Sequence, residues 1–301
     1  MFQISRNTKA LIFGSIASIL WSSVFVAGRY LCDNMDMHPI LVAFFRFSIA
    51  GIVSILYIVL KGEIKTLKLL LEKPLNIIFL ALTGIFGMGS SVFLALKYST
   101  AIDVSIIMNS NAIFVTPLAF LVGEKITFRK VIGIAIGVLG CALVINGDLT
   151  SVGLIRKEYL KGNLLAILAA LFWAIYTVSG KSLVRKHGGL VVTSLNMIVG
   201  SIPSFFIVVG LGELVFPSSK AFLILIYLAI FPTAIGFIFW YKALEQIDAS
   251  QLAPLQYLVP VGTAIISIFA LGESLKLASV IGMLLVFLGI YLSTMSKRSF
   301  N

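Results

Sequence analysis

The chain has 301 residues, of which 59% are hydrophobic and 12% charged, and its mean hydropathy is +1.08. This composition excludes a soluble globular protein, which needs far less apolar surface. The net charge of +11 does not indicate a nucleic-acid-binding protein. The Lys and Arg residues lie in short segments between apolar runs of about 20 residues, as the positive-inside rule expects of a membrane protein.

The apolar runs predict ten membrane-spanning helices. In chain order they cover residues 10–30, 38–60, 75–96, 100–121, 130–146, 162–180, 189–211, 221–241, 249–270 and 277–295. The first run follows Arg6 and Lys9 as in a signal peptide, but it is too long and no small-residue cleavage site follows it. We therefore predict an uncleaved first helix. Cys32, in a predicted loop, and Cys141, in a predicted helix, imply no disulfide framework.

The distribution of Lys and Arg predicts the orientation of these helices. With the N-terminus inside, the inner segments hold 15 of the 23 basic residues and the outer segments hold 7; the remaining one, Arg46, is intramembrane. The positive-inside rule therefore predicts that both termini are cytoplasmic and that the loop around Ser151 is outside. The expected location is the cytoplasmic (inner) membrane, crossed in multiple passes.

The two halves of the sequence repeat each other. The matching pairs are Lys97 and Lys242, Asp103 and Asp248, and Ser105 and Ser250 at an offset of 145 residues, with Trp21 and Trp173, and Gly28 and Gly180, at 152. We predict two domains, 1–150 and 151–301, each with five helices. Because five is odd, the second half must enter the membrane from the opposite side. The predicted fold class is an all-α integral membrane protein with ten transmembrane helices in two inverted five-helix repeats.

Each half also carries the same series of short motifs. They appear as Ala95–Tyr98, Pro117, Gly123-Glu124 and Gly133–Gly140, and again as Tyr241–Leu244, Pro260, Gly272-Glu273 and Gly282–Gly289. This doubled series, over nearly the whole chain, resembles the EamA family of the drug/metabolite transporter superfamily. The resemblance implies a ten-helix metabolite carrier, often an exporter of amino acids. The family also includes carriers of sugars, nucleotide-linked sugars and other metabolites.

Arg46 is the first candidate for a substrate contact. It lies 8 residues into the second predicted helix, roughly 12 Å from the outer end at 1.5 Å per residue. A charge at that depth is costly and suggests a functional site, where the guanidinium would bind a substrate carboxylate. The alternatives are a hydrogen bond to backbone carbonyls at a helix break, or snorkelling to the interface. In a looser alignment Arg46 matches Asn196, so the position is polar in both halves.

Amides and tryptophans complete the predicted substrate pathway. Asn109 and Asn111 lie in the fourth predicted helix, whereas Gln251 and Gln256 lie in the ninth, where Gln256 matches Asn111. Amides near a pseudo-twofold axis could bind a polar substrate or simply join helices. The remaining candidates are Trp21 and Trp173, each about 11 residues into its helix and too deep for an interfacial belt. They could form cavity walls or only pack.

The other polar and helix-breaking residues suggest structural roles. Glu124 and Glu273 each precede the first turn of a following helix, where the helix dipole stabilises a carboxylate. We therefore predict that both residues are helix caps. Pro117, Pro254 and Pro260 lie inside predicted spans and are predicted helix hinges.

Function classes other than a carrier have less support. An enzyme would need a motif such as His-Glu-x-x-His, but the two histidines and the Asp33–Asp36 pair lie near loops. We therefore expect no catalytic residues, metal or cofactor. A channel or structural protein fits poorly with duplicated, proline-containing helices, and a cationic-drug pump fits poorly because all 12 acids fall at helix ends or in loops. The expected partners are a small-molecule substrate and the lipid bilayer; a homodimer is left open.

Overall fold

A computed structural model of the protein describes residues 6–99, 101–146, 159–271 and 277–294, which form helices without any strand. The long helices are α1 (Arg6–Asp33), α2 (Pro39–Leu60), α3 (Pro74–Leu80, Ala81–Gly87 and Met88–Tyr98), α4 (Ala101–Asn109 and Ala112–Leu121), α5 (Phe128–Asn146), α6 (Leu160–His187), α7 (Gly189–Gly210), α8 (Ser219–Leu228, Ala229–Ile235 and Gly236–Leu244), α9 (Ala249–Leu252, Ala253–Tyr257 and Leu258–Leu271) and α10 (Leu277–Thr294). Two short helices, Ile64–Lys68 and Leu69–Glu72, join α2 to α3. Within the described residues, seven helices, α1–α4 and α6–α8, are long and apolar enough to cross a membrane.

The largest difference from the predicted boundaries is at the end of α6. The sequence predicts an end at residue 180, but the helix continues to His187, about two turns further. Lys181 and Arg185 were assigned to a loop because they are charged, whereas in the fold both contact Asp248. The helix ends instead at Gly188, whose φ of +85° is a conformation that favours glycine. The predicted loop around Ser151 lies outside the described residues.

Helices α3 and α8 each contain a π-helical segment near their middle, Ala81–Gly87 and Ala229–Ile235. The segment in α8 contains Pro232, which has no N–H to donate to the carbonyl of Leu228, four residues before it. The hydroxyl of Thr233 donates to that carbonyl instead, at 2.6 Å. A π segment of this kind is often found at functional sites, and this one forms hydrogen bonds with two residues of the cavity described below.

Close packing joins the first five helices to the last five. α2 packs on α7, α5 on α10, α1 on α8 and α3 on α6. Glycines allow the α5–α10 contact: a Cβ atom on Gly133 would lie 2.8 Å from the carbonyl oxygen of Gly289, and one on Gly140 would lie 2.7 Å from the backbone nitrogen of Val286. The two helices therefore touch backbone to backbone, as small residues permit in membrane proteins.

The bundle has two ends that are used as reference points below. At the Ser99 end, Arg29 Nη1 donates to the carbonyl oxygen of Ser99, and Ser99 Oγ donates to Asn163 Oδ1, both at 2.7 Å. At the opposite Lys181 end, α6 and α8 finish and α9 begins, and Lys181 Nζ contacts Asp248 Oδ1 at 2.5 Å.

Candidate functional site

A partly open cavity lies inside the bundle, between helices from both halves of the chain. Its lining residues are Trp21, Val24, Phe25, Arg46, Met88, Val92, Met108, Asn109, Trp173, Phe237 and Gln256. Five of them were predicted from the sequence for the substrate pathway: Trp21, Arg46, Asn109, Trp173 and Gln256. Most of the walls come from the parts of α1–α4 nearest the Ser99 end, whereas Trp173, Phe237 and Gln256 lie deeper.

Arg46 is the charged residue of this cavity lining, and only 4% of its surface is exposed. Its Nε donates to Thr233 Oγ1 at 2.6 Å, and the guanidinium carbon lies 4.9 Å from the centre of the Phe47 ring. No carboxylate among the described residues forms an ion pair with it. A guanidinium has five N–H donors, so most of its hydrogen-bonding capacity remains for a ligand.

The π segment of α8 fixes the position of Arg46. Because the Thr233 hydroxyl gives its proton to the Leu228 carbonyl, its oxygen is left as an acceptor and points its lone pairs at Arg46 Nε. The carbonyl of Pro232, the residue before Thr233, accepts a hydrogen bond of 2.6 Å from Trp21 Nε1. The π segment of α8 therefore holds two cavity residues, Arg46 and Trp21, by hydrogen bonds. Sequence analysis missed Thr233; the signal was a threonine directly after a proline within an apolar run.

The two predicted tryptophans contact each other. The Trp21 and Trp173 rings are 5.2 Å apart in an edge-to-face arrangement, and both also contact Trp240 and Phe237. These rings pack together and also line the cavity. The apolar walls Val24, Phe25, Met88, Val92 and Met108 were missed, since nothing distinguishes them from other apolar residues in a membrane helix.

The matching amides Asn111 and Gln256 meet directly. Asn111 Nδ2 donates to Gln256 Oε1 and joins α4 to α9. Asn111 is fully buried and is not among the lining residues, whereas Gln256 is, and its Nε2 has no hydrogen-bond partner among the described residues. Asn109 also lines the cavity, and its Nδ2 donates to the carbonyl of Ser105 at 2.7 Å. The amide pair therefore joins α4 to α9, and Gln256 brings an unpartnered Nε2 to the residues that line the cavity.

The other predicted residues lie away from the cavity lining. Asn196 is fully buried, and its Nδ2 donates to the hydroxyl of Tyr176 at 3.2 Å. Gln251 is partly exposed in the first turn of α9. Pro254 and Pro260 are buried in α9, whereas Pro117 is exposed and lines a lateral groove between α4 and α5. Asn196 and Gln251 are therefore not brought to the cavity.

The Lys181 end carries a cluster of charges that sequence analysis did not assemble. Lys181 Nζ lies 2.6 Å from Glu124 Oε1 and 2.5 Å from Asp248 Oδ1. Glu124 also accepts the backbone N–H groups of Ala249 and Ser250, both at 3.0 Å. Burial acts to raise the pKa of the Glu124 carboxyl, but hydrogen bonds from Lys181 and Ser250 more than offset it and hold the pKa below its ordinary value.

The prediction for Glu124 was therefore wrong about which helix it caps. We expected it to cap the following helix, α5, but it caps the N-terminus of α9 from the other half of the chain. The physical reason is the turn at Gly123, whose φ of +87° carries the chain away from the α4 axis before Glu124. The matching residue Glu273 lies outside the described residues.

Comparison with known proteins gives a consistent result. A sequence model of the EamA-like transporter family matches residues 8–146 and again residues 160–295. An uncharacterized transporter of Archaeoglobus fulgidus is 31% identical over 94% of this chain and 98% of its own length. A Salmonella typhimurium protein named "Probable amino-acid metabolite efflux pump" is 25% identical over 93% of each chain.

A solved crystal structure supports the fold. It matches with a TM-score of 0.79 at 24% sequence identity, and the match covers 95% of this chain and 96% of that one. At that identity the likeness bears on the fold alone. The two matches of the family model, in contrast, together cover most of the sequence. The chain therefore belongs to the EamA-like transporter family.

Proposed function

We propose that the protein is a secondary transporter that exports small polar metabolites, amino acids first among them, across the cytoplasmic membrane by alternating access. The observation that carries this proposal is Arg46: a cation that is 4% exposed, inside a central cavity, and without a carboxylate partner among the described residues. Such a charge in a membrane helix calls for a partner, and a substrate carboxylate provides one through two parallel hydrogen bonds.

The arrangement of helices supports alternating access. In the proposed architecture, ten spans form two inverted repeats, with α1 matching α6 and α3 matching α8. Exchanging the halves then turns the α1–α8 contact into the α6–α3 contact, and both contacts are present. The same exchange leaves two contacts unchanged, the one between α2 and α7 and the one between α5 and α10. Such an exchange would move a central site from one side of the membrane to the other.

The proposed topology places the Lys181 end in the cytoplasm. Lys130, Lys181 and Arg185 lie at that end, and the excess of inner Lys and Arg supports this assignment. The cavity walls then lie toward the outside, and the ion pairs of Lys181 close the cytoplasmic side. Reporter fusions at Ser151 and Asn301 test the topology: we expect Ser151 outside and Asn301 inside. An inside report from both positions would contradict the inverted architecture.

The test of function is transport by purified protein in proteoliposomes, with a panel of amino acids, sugars, nucleotide sugars and drug-like cations. We expect amino acids to be transported, and Arg46→Leu to lower that transport by about 100-fold while the protein remains folded, because it removes a charge-assisted bidentate contact. Arg46→Lys should restore only part of the rate, since an ammonium cannot form the planar fork.

Arg185→Met is the matched control, because Arg185 is also a basic residue in a helix but lies at the Lys181 end with 44% of its side chain exposed. It should transport at nearly the wild-type rate. Normal transport by folded Arg46→Leu would rule out the role of Arg46. Transport of sugars or cations in place of amino acids would replace the proposed substrate class.

A further inference from the structure

The hydrogen-bonding groups of the cavity are unequally divided between donors and acceptors. Two lining residues, Trp173 and Gln256, are each 1% exposed, and each has a donor, Nε1 and Nε2 respectively, without any partner among the described residues. Arg46 adds the donors of its guanidinium that are not used by Thr233. Buried donors are nearly always satisfied in native proteins, so the two unpartnered N–H groups of Trp173 and Gln256 beside one cavity require an explanation.

Acceptors for a positively charged ligand are scarce in the same place. None of the lining residues is acidic. The Gln256 Oε1 atom already accepts from Asn111, and the remaining amide oxygen of the lining, Asn109 Oδ1, is a neutral acceptor. An ammonium group would therefore meet tryptophan faces and a neutral amide, in the same cavity as an uncompensated guanidinium. Cation–π attraction is weaker than a charge-assisted hydrogen bond to a carboxylate.

We infer that the cavity recognises a carboxylate attached to an apolar body and does not recognise an α-amino group. Arg46, Gln256 and Trp173 would donate to the carboxylate oxygens, and the walls formed by Val92, Met88 and Met108 would hold the apolar part. The protein would then bind and transport deaminated analogues of its amino-acid substrates as well as the amino acids. This inference rests on the proposed function, because it assumes that the cavity is the substrate site.

The test uses three matched ligands that differ only in their charged groups: leucine, 4-methylpentanoate, which lacks the amino group, and 3-methylbutylamine, which lacks the carboxylate. Phenylalanine, 3-phenylpropanoate and 2-phenylethylamine form a second series. Binding to the purified wild-type protein is measured by ligand-dependent thermal stabilisation, which requires no mutant to fold. We expect each acid to bind within about 3-fold of its amino acid, because the amino group adds no contact, and each amine not to bind.

The outcomes separate this inference from the proposed function. If the amino acids bind and loss of the amino group abolishes binding, the inference is wrong and the proposed function stands. If the acids bind and the amino acids do not, the inference holds and the amino-acid assignment is wrong. Binding of the amines alone, or of neither acids nor amino acids, would overturn both.

Two tryptophans provide a matched pair for the donor assignment. Trp240 also has an unpartnered Nε1 and is fully buried in the same aromatic cluster, but it is not a lining residue. Phenylalanine keeps an aromatic ring and removes the N–H group. We expect Trp173→Phe to weaken binding of 4-methylpentanoate by about 10-fold, as for the loss of one hydrogen bond to a charged group, and Trp240→Phe to leave it unchanged. Equal weakening by both variants, or by neither, would overturn the role of the Trp173 donor.

Discussion

Two cations, one buried in the cavity and one partly buried at the Lys181 end, have opposite surroundings. Lys181 donates to the carboxylates of Glu124 and Asp248. Arg46 is buried, and among the described residues its hydrogen-bond acceptor is the neutral hydroxyl of Thr233. A cation that is paired with carboxylates is explained by the contacts that it makes within the fold. A buried cation without a carboxylate partner calls for a ligand. The comparison separates a structural cation from a binding cation.

The largest expected effect on stability is that of Lys181→Met. It leaves the Glu124 carboxylate, whose side chain is 5% exposed, without its cation. Breaking a buried ion pair by removing one partner is strongly destabilising, so we expect a loss of about 3 kcal/mol in the free energy of unfolding. The measurement is thermal unfolding of the purified protein. Arg46→Leu, which leaves no carboxylate unpaired, should lose less than about 1 kcal/mol. Equal losses would remove the distinction between the two cations.

The next largest effect tests whether Thr233 orients the Arg46 guanidinium. Thr233→Val removes the hydroxyl that accepts from Arg46 Nε and donates to the Leu228 carbonyl. A guanidinium without that anchor is less well oriented, so we expect KM for transport to rise by about 10-fold, the equivalent of one hydrogen bond. Thr233→Ser keeps the hydroxyl and is the control, with a KM near the wild-type value. A wild-type KM in Thr233→Val would show that Arg46 needs no anchor.

The smallest effect is a pH dependence at the Lys181 end. Because the pKa of Glu124 is lowered in the folded protein, its carboxylate contributes stability that is fully present above the ordinary pKa of 4.5 and is lost as the pH falls through the lowered value. The difference in thermal stability between the wild type and Glu124→Gln should therefore be constant from neutral pH down to about pH 4.5 and narrow below it. A difference that widens toward acid pH would contradict this.

The sequence predicted what composition and periodicity control. Apolar length marks the helices within a few residues, because the thickness of a bilayer sets it. Arg46, Trp21 and Gln256 could be identified because polar or amphipathic groups deep in a span are exceptional. Pairs within the repeat, such as Asn111 and Gln256, could be identified because the duplication aligns them.

What the sequence could not predict depends on contacts between distant segments. Glu124 stands 125 residues before Ala249, and no local pattern relates them. The end of α6 was misplaced because the predicted helix stops where the charged residues begin, whereas Lys181 and Arg185 continue the helix and contact the distant Asp248. Asn196 is polar and lies inside a predicted span, but its side chain donates to the Tyr176 hydroxyl and does not line the cavity. Which side of a helix faces a cavity is decided by packing, which a repeat alignment does not contain.

The hydrogen bonds of Thr233 in α8 determine whether a proton can move along them. From Arg46 Nε through the Thr233 hydroxyl to the Leu228 carbonyl, every hydrogen bond points the same way. The chain begins at a guanidinium, which does not give up its proton in a protein, and ends at an amide oxygen, which is only an acceptor. It therefore cannot serve as a proton wire. The cavity can hold a buried positive charge without creating a leak of the proton gradient along this route.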